Sequence, residues 1–146
     1  VYPAGRQGRP LASNLNFVAG QTVPNLVEAA LGAGGRATLY NHAGNTDLIA
    51  DVEAYVLSSQ TTAGDSLYTA ISPSRVGDTR AGSGQPDQGQ TVGPNSIHAV
   101  QVSGMGSVPA TGVSAAVPNG TVTHPARGSR QGPHIPNLFP VVATSP

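Results

Sequence analysis

Apolar and polar residues alternate along several short stretches of this chain, and each stretch ends at glycine, proline or small polar residues. The alternation is clear in residues 13–18 and 36–41, and it is weaker in residues 47–56, where Ile49 and Tyr55 break the otherwise polar parity. A period of two is the period of a strand with one buried face. We therefore predict strands in these three segments, and segment 47–56 as the most buried of them.

Shorter apolar runs predict the remaining elements. Residues 23–30 predict a strand or one short helical turn, and residues 68–71, 97–102 and 113–117 predict strands. Proline has no N–H to donate to the hydrogen bonds between strands. Ser72-Pro73 is therefore expected to end one strand, and residues 118–120 (Pro-Asn-Gly) are expected to interrupt another. Residues 121–123 are expected to continue the interrupted strand. The glycine-rich stretches 32–35 and 76–90 predict a hairpin turn and a loop.

The composition supports an interior of small aliphatic side chains. The chain has four Tyr, two Phe and no Trp, and its 19 Gly and 13 Pro recur too often for long helices. The predicted fold is an all-β antiparallel sandwich. Its predicted core consists of Leu15, Phe17, Leu26, Leu39, Ile49, Val52, Ile71, Val100, Val113 and Val117.

Charge and cysteine content exclude several classes of function. Seven Arg balance seven acidic residues with no Lys, so there is no basic stripe of the kind that binds nucleic acid. The absence of Cys excludes a disulfide framework and a thiolate nucleophile. No apolar run reaches the length needed to cross a membrane. We expect no nucleic-acid partner, no membrane span, no metal and no cofactor.

The two ends of the chain are similar to each other. Residues 6–8 (Arg-Gln-Gly) recur as residues 130–132, and Asn14-Leu15 recurs as Asn137-Leu138. The similarity indicates a repeated unit that begins again at the C-terminus. Chance similarity in a biased composition is the competing explanation.

Several longer motifs resemble one known repeat. They are residues 13–17 (Ser-Asn-Leu-Asn-Phe), 21–26 (Gln-Thr-Val-Pro-Asn-Leu), 39–41 (Leu-Tyr-Asn), 49–52 (Ile-Ala-Asp-Val), 68–73 (Tyr-Thr-Ala-Ile-Ser-Pro) and 75–80 (Arg-Val-Gly-Asp-Thr-Arg). The chain resembles a tandem β-repeat of exported, multidomain actinobacterial proteins, in which the unit is appended to hydrolases or arranged in series. Gly77 stands where that repeat has an apolar residue, and Pro118 and Gly120 depart from its central strand.

The order of these motifs implies a chain cut out of phase with the repeat. The resemblance assigns residues 1–57 to the closing half of one repeat, 58–66 to a linker, 67–129 to the opening half of the next, and 130–146 to an irregular, poorly ordered tail. We expect 1–57 and 67–129 to pack together as one sandwich. That sandwich would be immunoglobulin-like or jelly-roll-like and circularly permuted relative to the repeat.

The candidate site is the motif formed by Arg75, Asp78, Thr79 and Arg80, and two interpretations of it stay open. It binds a ligand, or it is structural. The structural interpretation is favoured, because an Asp at this place can accept hydrogen bonds in an Asx turn and pair with a neighbouring Arg.

Other candidate chemistry is weaker. Residues 64–67 (Gly-Asp-Ser-Leu) resemble the nucleophile block of secreted esterases with Ser66 as nucleophile, yet no buried strand precedes them and no His follows an Asp by three residues. Asp47, Asp51 and Glu53 share one parity of a strand, where a solvated face is favoured over a cation site. The four His are scattered, and His98 is expected within a strand.

These patterns predict a protein that is not an enzyme. The expected function is a non-catalytic, secreted or cell-surface module that acts as a structural spacer or an adhesive unit. Its expected partners are cell-wall polysaccharide or neighbouring repeats of the same polypeptide. The alternative is a carbohydrate- or peptidoglycan-binding module appended to a hydrolase, which fold analogy alone supports. The third hypothesis is the esterase with Ser66.

Overall fold

The computed structural model describes residues 1–59 and 67–125 of the 146-residue chain. This part of the chain contains strands, turns and bends and no helix. The predicted all-β antiparallel sandwich is confirmed. Its strands are β1 (Tyr2–Pro3), β2 (Val23–Leu26), β3 (Ala29–Ala30), β4 (Arg36–Asn41), β5 (Asp47–Leu57), β6 (Tyr68–Asp78), β7 (Ser96–Gln101) and β8 (Val113–Thr123).

Two antiparallel sheets pack face to face. One has the order β1-β4-β7, and the other has the order β2-β8-β5-β6, with β3 also paired to β8. Strands β1 to β5 come before residue 58 and β6 to β8 come after residue 66, and the two groups are neighbours in both sheets. Both parts of the chain therefore build one common interior. Their assignment to halves of adjacent repeats stays a prediction.

The interior between the sheets is made of small side chains, as the composition indicates. One buried cluster joins residues of β4 to β8 and of the segment after β7, and Val52 at its centre has no exposed surface. A second cluster joins Phe17 to side chains from β5, β8 and the segment before β7. The first cluster consists of Ala37, Ala50, Val52, Val76, Val100, Val102, Val108 and Ala116, and the second of Phe17, Leu48, Val92 and Val122.

Nine of the ten predicted core residues are buried or partly buried. Leu26 is the exception, since 44% of its surface is exposed. In β2 the inward positions belong to Val23 and Asn25, and the Asn25 side-chain amide donates to the Asn14 carbonyl. Because neighbouring residues of a strand point to opposite faces, this inward Asn25 places Leu26 outward.

The predicted strand at residues 13–18 is wrong. The segment is irregular, although it does bury Phe17 as expected. The Ser13 hydroxyl donates to Asn16 Oδ1 at 2.9 Å, and the Asn14 carbonyl is occupied by Asn25. Side-chain hydrogen bonds of this kind compete with the strand ladder, so the alternation marks a buried contact without a strand.

The predicted strand end at Ser72-Pro73 is also wrong, because β6 continues to Asp78. This strand lies at the edge of its sheet, and its pairing with β5 is irregular where the proline falls: Val52 lies opposite Ser74 and Ala54 opposite Ala70. Proline is tolerated on edge strands and at such irregularities. The loop predicted from residue 76 consequently begins only after β6.

The interruption predicted at Pro118 does not occur either. β8 is a central strand that runs through Pro118 and Gly120 to Thr123. Pro118 lies opposite Val52 at a register shift of β5, and its carbonyl accepts from the Val27 amide in the gap between β2 and β3. The missing N–H of Pro118 therefore falls where the ladder is already broken. Residues 23–30 form two short strands instead of a helical turn.

The predicted linker and tail fall largely outside the described residues, since 60–66 and 126–146 are not described. In the described ranges, no helix has the length and apolar character needed to cross a membrane.

Candidate functional site

Asp78, the last residue of β6, is the centre of a charged cluster and is only 1% exposed. Its Oδ1 accepts from the Arg80 backbone N–H at 3.1 Å and from Arg80 Nε at 2.9 Å, and its Oδ2 accepts from Arg80 Nη2 at 2.6 Å. The backbone contact closes an Asx turn. A buried carboxylate is stable only where donors replace its lost water, and Arg80 supplies three of them.

Arg75 adds a second guanidinium to the cluster. Its Nη1 donates to Asp78 Oδ2 at 3.2 Å, while Nε and Nη2 donate to the two carboxylate oxygens of Asp51 at 2.7 and 3.0 Å. Arg75 lies opposite Asp51 in the β5–β6 register, so the paired strands bring the two side chains together. We call Asp51, Arg75, Asp78 and Arg80 the Asp78 network.

The electrostatics of the network follow from these contacts. The Arg80 hydrogen bonds lower the pKa of Asp78 from 3.8 to about 2, against the opposing effect of burial. The hydrogen bond to Asp51 raises the pKa of Arg75, and the hydrogen bond to Asp78 raises the pKa of Arg80. All of these shifts favour the charged forms.

Thr79 points away from the network and joins β6 to the start of β5. Its buried hydroxyl accepts from the Leu48 N–H at 2.8 Å and donates to Asp47 Oδ1 at 3.4 Å, and its backbone N–H donates to the Leu48 carbonyl at 2.9 Å. Its carbonyl accepts from the Gly89 amide at 2.8 Å. The hydroxyl thus extends the β ladder by one position beyond the strand.

The structure therefore brings Arg75, Asp78 and Arg80 into one cluster and places Thr79 beside it with a separate role. The Asx turn and the ion pairs expected of the structural interpretation are present. Both oxygens of Asp78 are occupied by protein donors. A ligand of Asp78 would have to compete with these donors. The ligand interpretation stays a prediction.

A second feature is a pocket of about 330 Å³ between the two sheets, which we call the inter-sheet pocket. Its inner wall is apolar and includes Phe17, Leu48 and Val100. Its exposed rim includes Arg6, Arg9 and His42, and no residue that lines it is acidic. The irregular segment before β2 provides one side of the pocket, and nothing in the strand pattern of the sequence predicted it.

Sequence reasoning also missed a contact between Asp87 and His98. The carboxylate Oδ2 lies 3.3 Å from His98 Nε2, and 12% of the His98 side chain is exposed. Asp87 has a positive φ of 72°, which is uncommon for a residue other than glycine. The two residues come from a glycine-rich loop and from β7, so no spacing in the sequence links them. His98 does lie within a strand, as predicted.

The remaining candidates are dispersed. Ser66 lies outside the described residues. Asp51 belongs to the Asp78 network, Asp47 accepts from Thr79 and from Thr91 Oγ1, and Glu53 lies on β5. Across residues 1–59 and 67–125, no group of three or more His or acidic side chains could hold a metal ion.

Comparison with protein-family models, with curated proteins and with solved structures finds no match to this chain.

Proposed function

We propose that this chain is a non-catalytic module of a secreted or cell-surface protein, which acts as a structural spacer or adhesive unit. The observation that supports this proposal is the Asp78 network. The network is the most charge-rich motif of the described residues, and its members bond to one another. Five of these hydrogen bonds are donated by side chains and one by a backbone N–H. A motif that reacts with or binds a substrate needs hydrogen-bonding groups that the protein leaves available, whereas both carboxylate oxygens of Asp78 already accept from protein donors.

The position of the network suits a mechanical role. It joins the edge strand β6 to β5 and closes the turn that follows β6. An edge strand is the part of a sheet most easily detached or paired with another chain. Ion pairs and the Thr79 hydroxyl hold this edge in place, so the sandwich can remain folded when its neighbours pull on it or pack against it.

Retention on insoluble cell wall separates a spacer from an adhesive or carbohydrate-binding unit. A spacer is expected to remain in the supernatant to the same extent as an unrelated β-sandwich of equal size. Retention above that control, reduced by soluble wall fragments, would assign the adhesive or binding role. To exclude retention by unfolded protein, the folded state should be checked by circular dichroism in the same buffer.

Carbohydrate binding is the second candidate, and one observation favours it: Tyr2 and Tyr40 line the same inter-sheet pocket. Exposed aromatic rings stack on sugar faces, but the Arg9 guanidinium already lies 4.0 Å from the centre of the Tyr40 ring. Retention on cell wall that is lost in Tyr2→Ala and Tyr40→Ala, and kept in Tyr68→Ala, would support this candidate over the spacer. Tyr68 does not line the pocket.

The esterase hypothesis is tested separately, because Ser66 lies outside the described residues. The chain is incubated with short-chain nitrophenyl esters beside its Ser66→Ala variant. Equal, background rates in both are expected of a non-catalytic module. Hydrolysis that disappears in Ser66→Ala would overturn the proposal.

A further inference from the structure

The inter-sheet pocket combines two properties that a spacer does not require. Protein interiors are normally packed as densely as organic crystals, with few voids larger than a water molecule. A pocket of about 330 Å³ lies within the range of pockets that bind small ligands. Its inner wall includes side chains of the two hydrophobic clusters of the core, and it opens to solvent beside Arg6, Arg9 and His42.

The rim of the pocket carries positive charge without compensation. Arg6 and Arg9 line it and are exposed, and no Asp or Glu lines the pocket. Among the described residues, neither Arg6 nor Arg9 is within ion-pair distance of a carboxylate, whereas Arg75 and Arg80 both are. Two rim arginines without a carboxylate partner are unexpected in a chain whose seven Arg balance seven acidic residues.

Arg9 is also held in place at the rim. The Arg9 guanidinium lies 4.0 Å from the centre of the Tyr40 ring, and the Tyr40 hydroxyl donates to Asn95 Oδ1 at 2.9 Å. The segment that carries both rim arginines is anchored to the sheet by the buried ring of Phe17 and by the hydrogen bond from Asn25 to Asn14. A guanidinium positioned at the entrance of an apolar pocket favours an anionic head group with an apolar tail.

From these observations we infer that the inter-sheet pocket binds a free aliphatic monocarboxylate of medium length, a fatty acid. Its tail lies in the pocket against Leu15, Leu39 and Leu48, and its carboxylate lies at the rim with Arg6 and Arg9. Burial of the methylene groups supplies most of the affinity, and the guanidinium groups supply the preference for an anion. This function goes beyond that of a spacer and does not depend on it.

The test is isothermal titration calorimetry of the full 146-residue chain with decanoate, decyltrimethylammonium and acetate, each below its micelle concentration. Saturable binding of decanoate is expected, with decyltrimethylammonium weaker by about tenfold or more and acetate not bound, because one charge-assisted contact changes affinity by about that factor. Equal affinity for the cationic and anionic probes, or no binding of decanoate, would overturn the inference.

Matched variants locate the site. The double variant Arg6→Glu, Arg9→Glu is expected to weaken decanoate binding by about tenfold or more. Arg36→Glu is the control, since Arg36 is exposed at the start of β4 and, unlike later residues of that strand, does not line the pocket. An equal loss in Arg36→Glu would indicate a general charge effect and contradict the assignment.

A third variant tests the apolar part of the pocket. Ala50→Leu adds side-chain volume to the wall and is expected to abolish binding; Val76→Ile serves the same purpose if the first variant does not fold. Binding unchanged in a folded, filled variant would exclude the pocket as the site.

Vesicles of anionic phospholipid distinguish a free fatty acid from a membrane surface. Co-sedimentation of the protein with vesicles that persists in an excess of decanoate would overturn the inference in favour of a lipid surface.

Discussion

Arg75 on β6 holds Asp51 on β5 through two parallel hydrogen bonds, from Nε to Oδ1 at 2.7 Å and from Nη2 to Oδ2 at 3.0 Å. The remaining terminal nitrogen, Nη1, reaches Asp78 at 3.2 Å. One planar guanidinium thus joins two carboxylates next to the register shift between Ala50 and Asp51. A bulge weakens strand pairing locally, and this contact compensates for it.

Replacement of Arg75 by Lys is expected to lower the free energy of unfolding by about 1 kcal/mol, because an ammonium group cannot bridge both carboxylates with a planar fork. The figure is small since 37% of the Arg75 side chain is exposed and solvent screens the pair. Urea denaturation measures it. Arg36→Lys is the control, because Arg36 makes a single exposed hydrogen bond to the Ala99 carbonyl. Losses of equal size in both variants would contradict a special role for Arg75.

The depressed pKa of Asp78 predicts acid sensitivity in a defined window. In the folded chain this pKa is about 2, against an ordinary value of 3.8. The unfolded state therefore binds more protons between these values, and the stabilisation is complete above about pH 4 and lost as the pH falls through the folded pKa. The free energy of unfolding, measured by urea titration, is expected to fall more between pH 6 and pH 2.5 in the wild-type chain than in Asp78→Asn. The asparagine side chain has no proton to bind in this range.

An equal loss between the two pH values in wild type and Asp78→Asn would show that other carboxylates govern acid unfolding. Because Asp78→Asn also removes an ion-pair partner of two arginines, its stability at pH 6 is expected to be lower than that of the wild type. The comparison therefore uses the difference between pH values and not the absolute free energies.

Thr79 offers a test that changes a single hydrogen-bonding group. Thr79→Val keeps the shape of the side chain but leaves the buried N–H of Leu48 without its acceptor at 2.8 Å. An unsatisfied buried donor costs about 1–3 kcal/mol, so a loss of that size is expected in chemical denaturation. Thr79→Ser retains the hydroxyl and is expected to lose less. A valine variant as stable as the serine variant would show that the hydroxyl contributes only packing.

The sequence was informative where local chemistry decides the structure. The alternation of β5 predicted its buried face, and the Asp78 turn followed from the ability of Asp to accept hydrogen bonds from its own chain. The sequence pattern gave the wrong strand ends where tertiary contacts override local preference. Pro73 lies within an edge strand at an irregularity, and Pro118 lies opposite a break in the neighbouring strand, so neither ends its strand.

The partners of the candidate site were less predictable than its residues. Asp51 joins Arg75 only because β5 and β6 pair with one particular register, and Asp87 meets His98 only because a loop folds back over β7. The inter-sheet pocket is lined by side chains from both sheets and from the irregular segment before β2, which are far apart in the sequence. Such an arrangement depends on the packing of the whole fold and has no counterpart in a one-dimensional pattern.

Gly32 is predicted to be essential for the docking of β1. A Cβ atom added at this position would lie 1.9 Å from the carbonyl oxygen of Ala4 and 2.4 Å from its amide nitrogen, so the backbone itself must move. Ala4, which directly follows β1, is held by hydrogen bonds from its amide to the Arg36 carbonyl and from the Ala33 amide to its own carbonyl. Gly32→Ala is therefore expected to displace β1 and to cost about 1–3 kcal/mol, as overpacking typically does.

Gly93→Ala is the matched control, because its Cβ would meet Asn45 Oδ1 at 3.7 Å and Ser96 Oγ at 3.9 Å, which are ordinary contacts. Its free energy of unfolding is expected to stay within about 0.5 kcal/mol of the wild type. Amide hydrogen exchange supplies a local readout: Gly32→Ala is expected to accelerate exchange in β4, whose Thr38 lies opposite Tyr2. If β4 exchanges at the wild-type rate in Gly32→Ala, β1 does not depend on the close approach of Gly32 to Ala4.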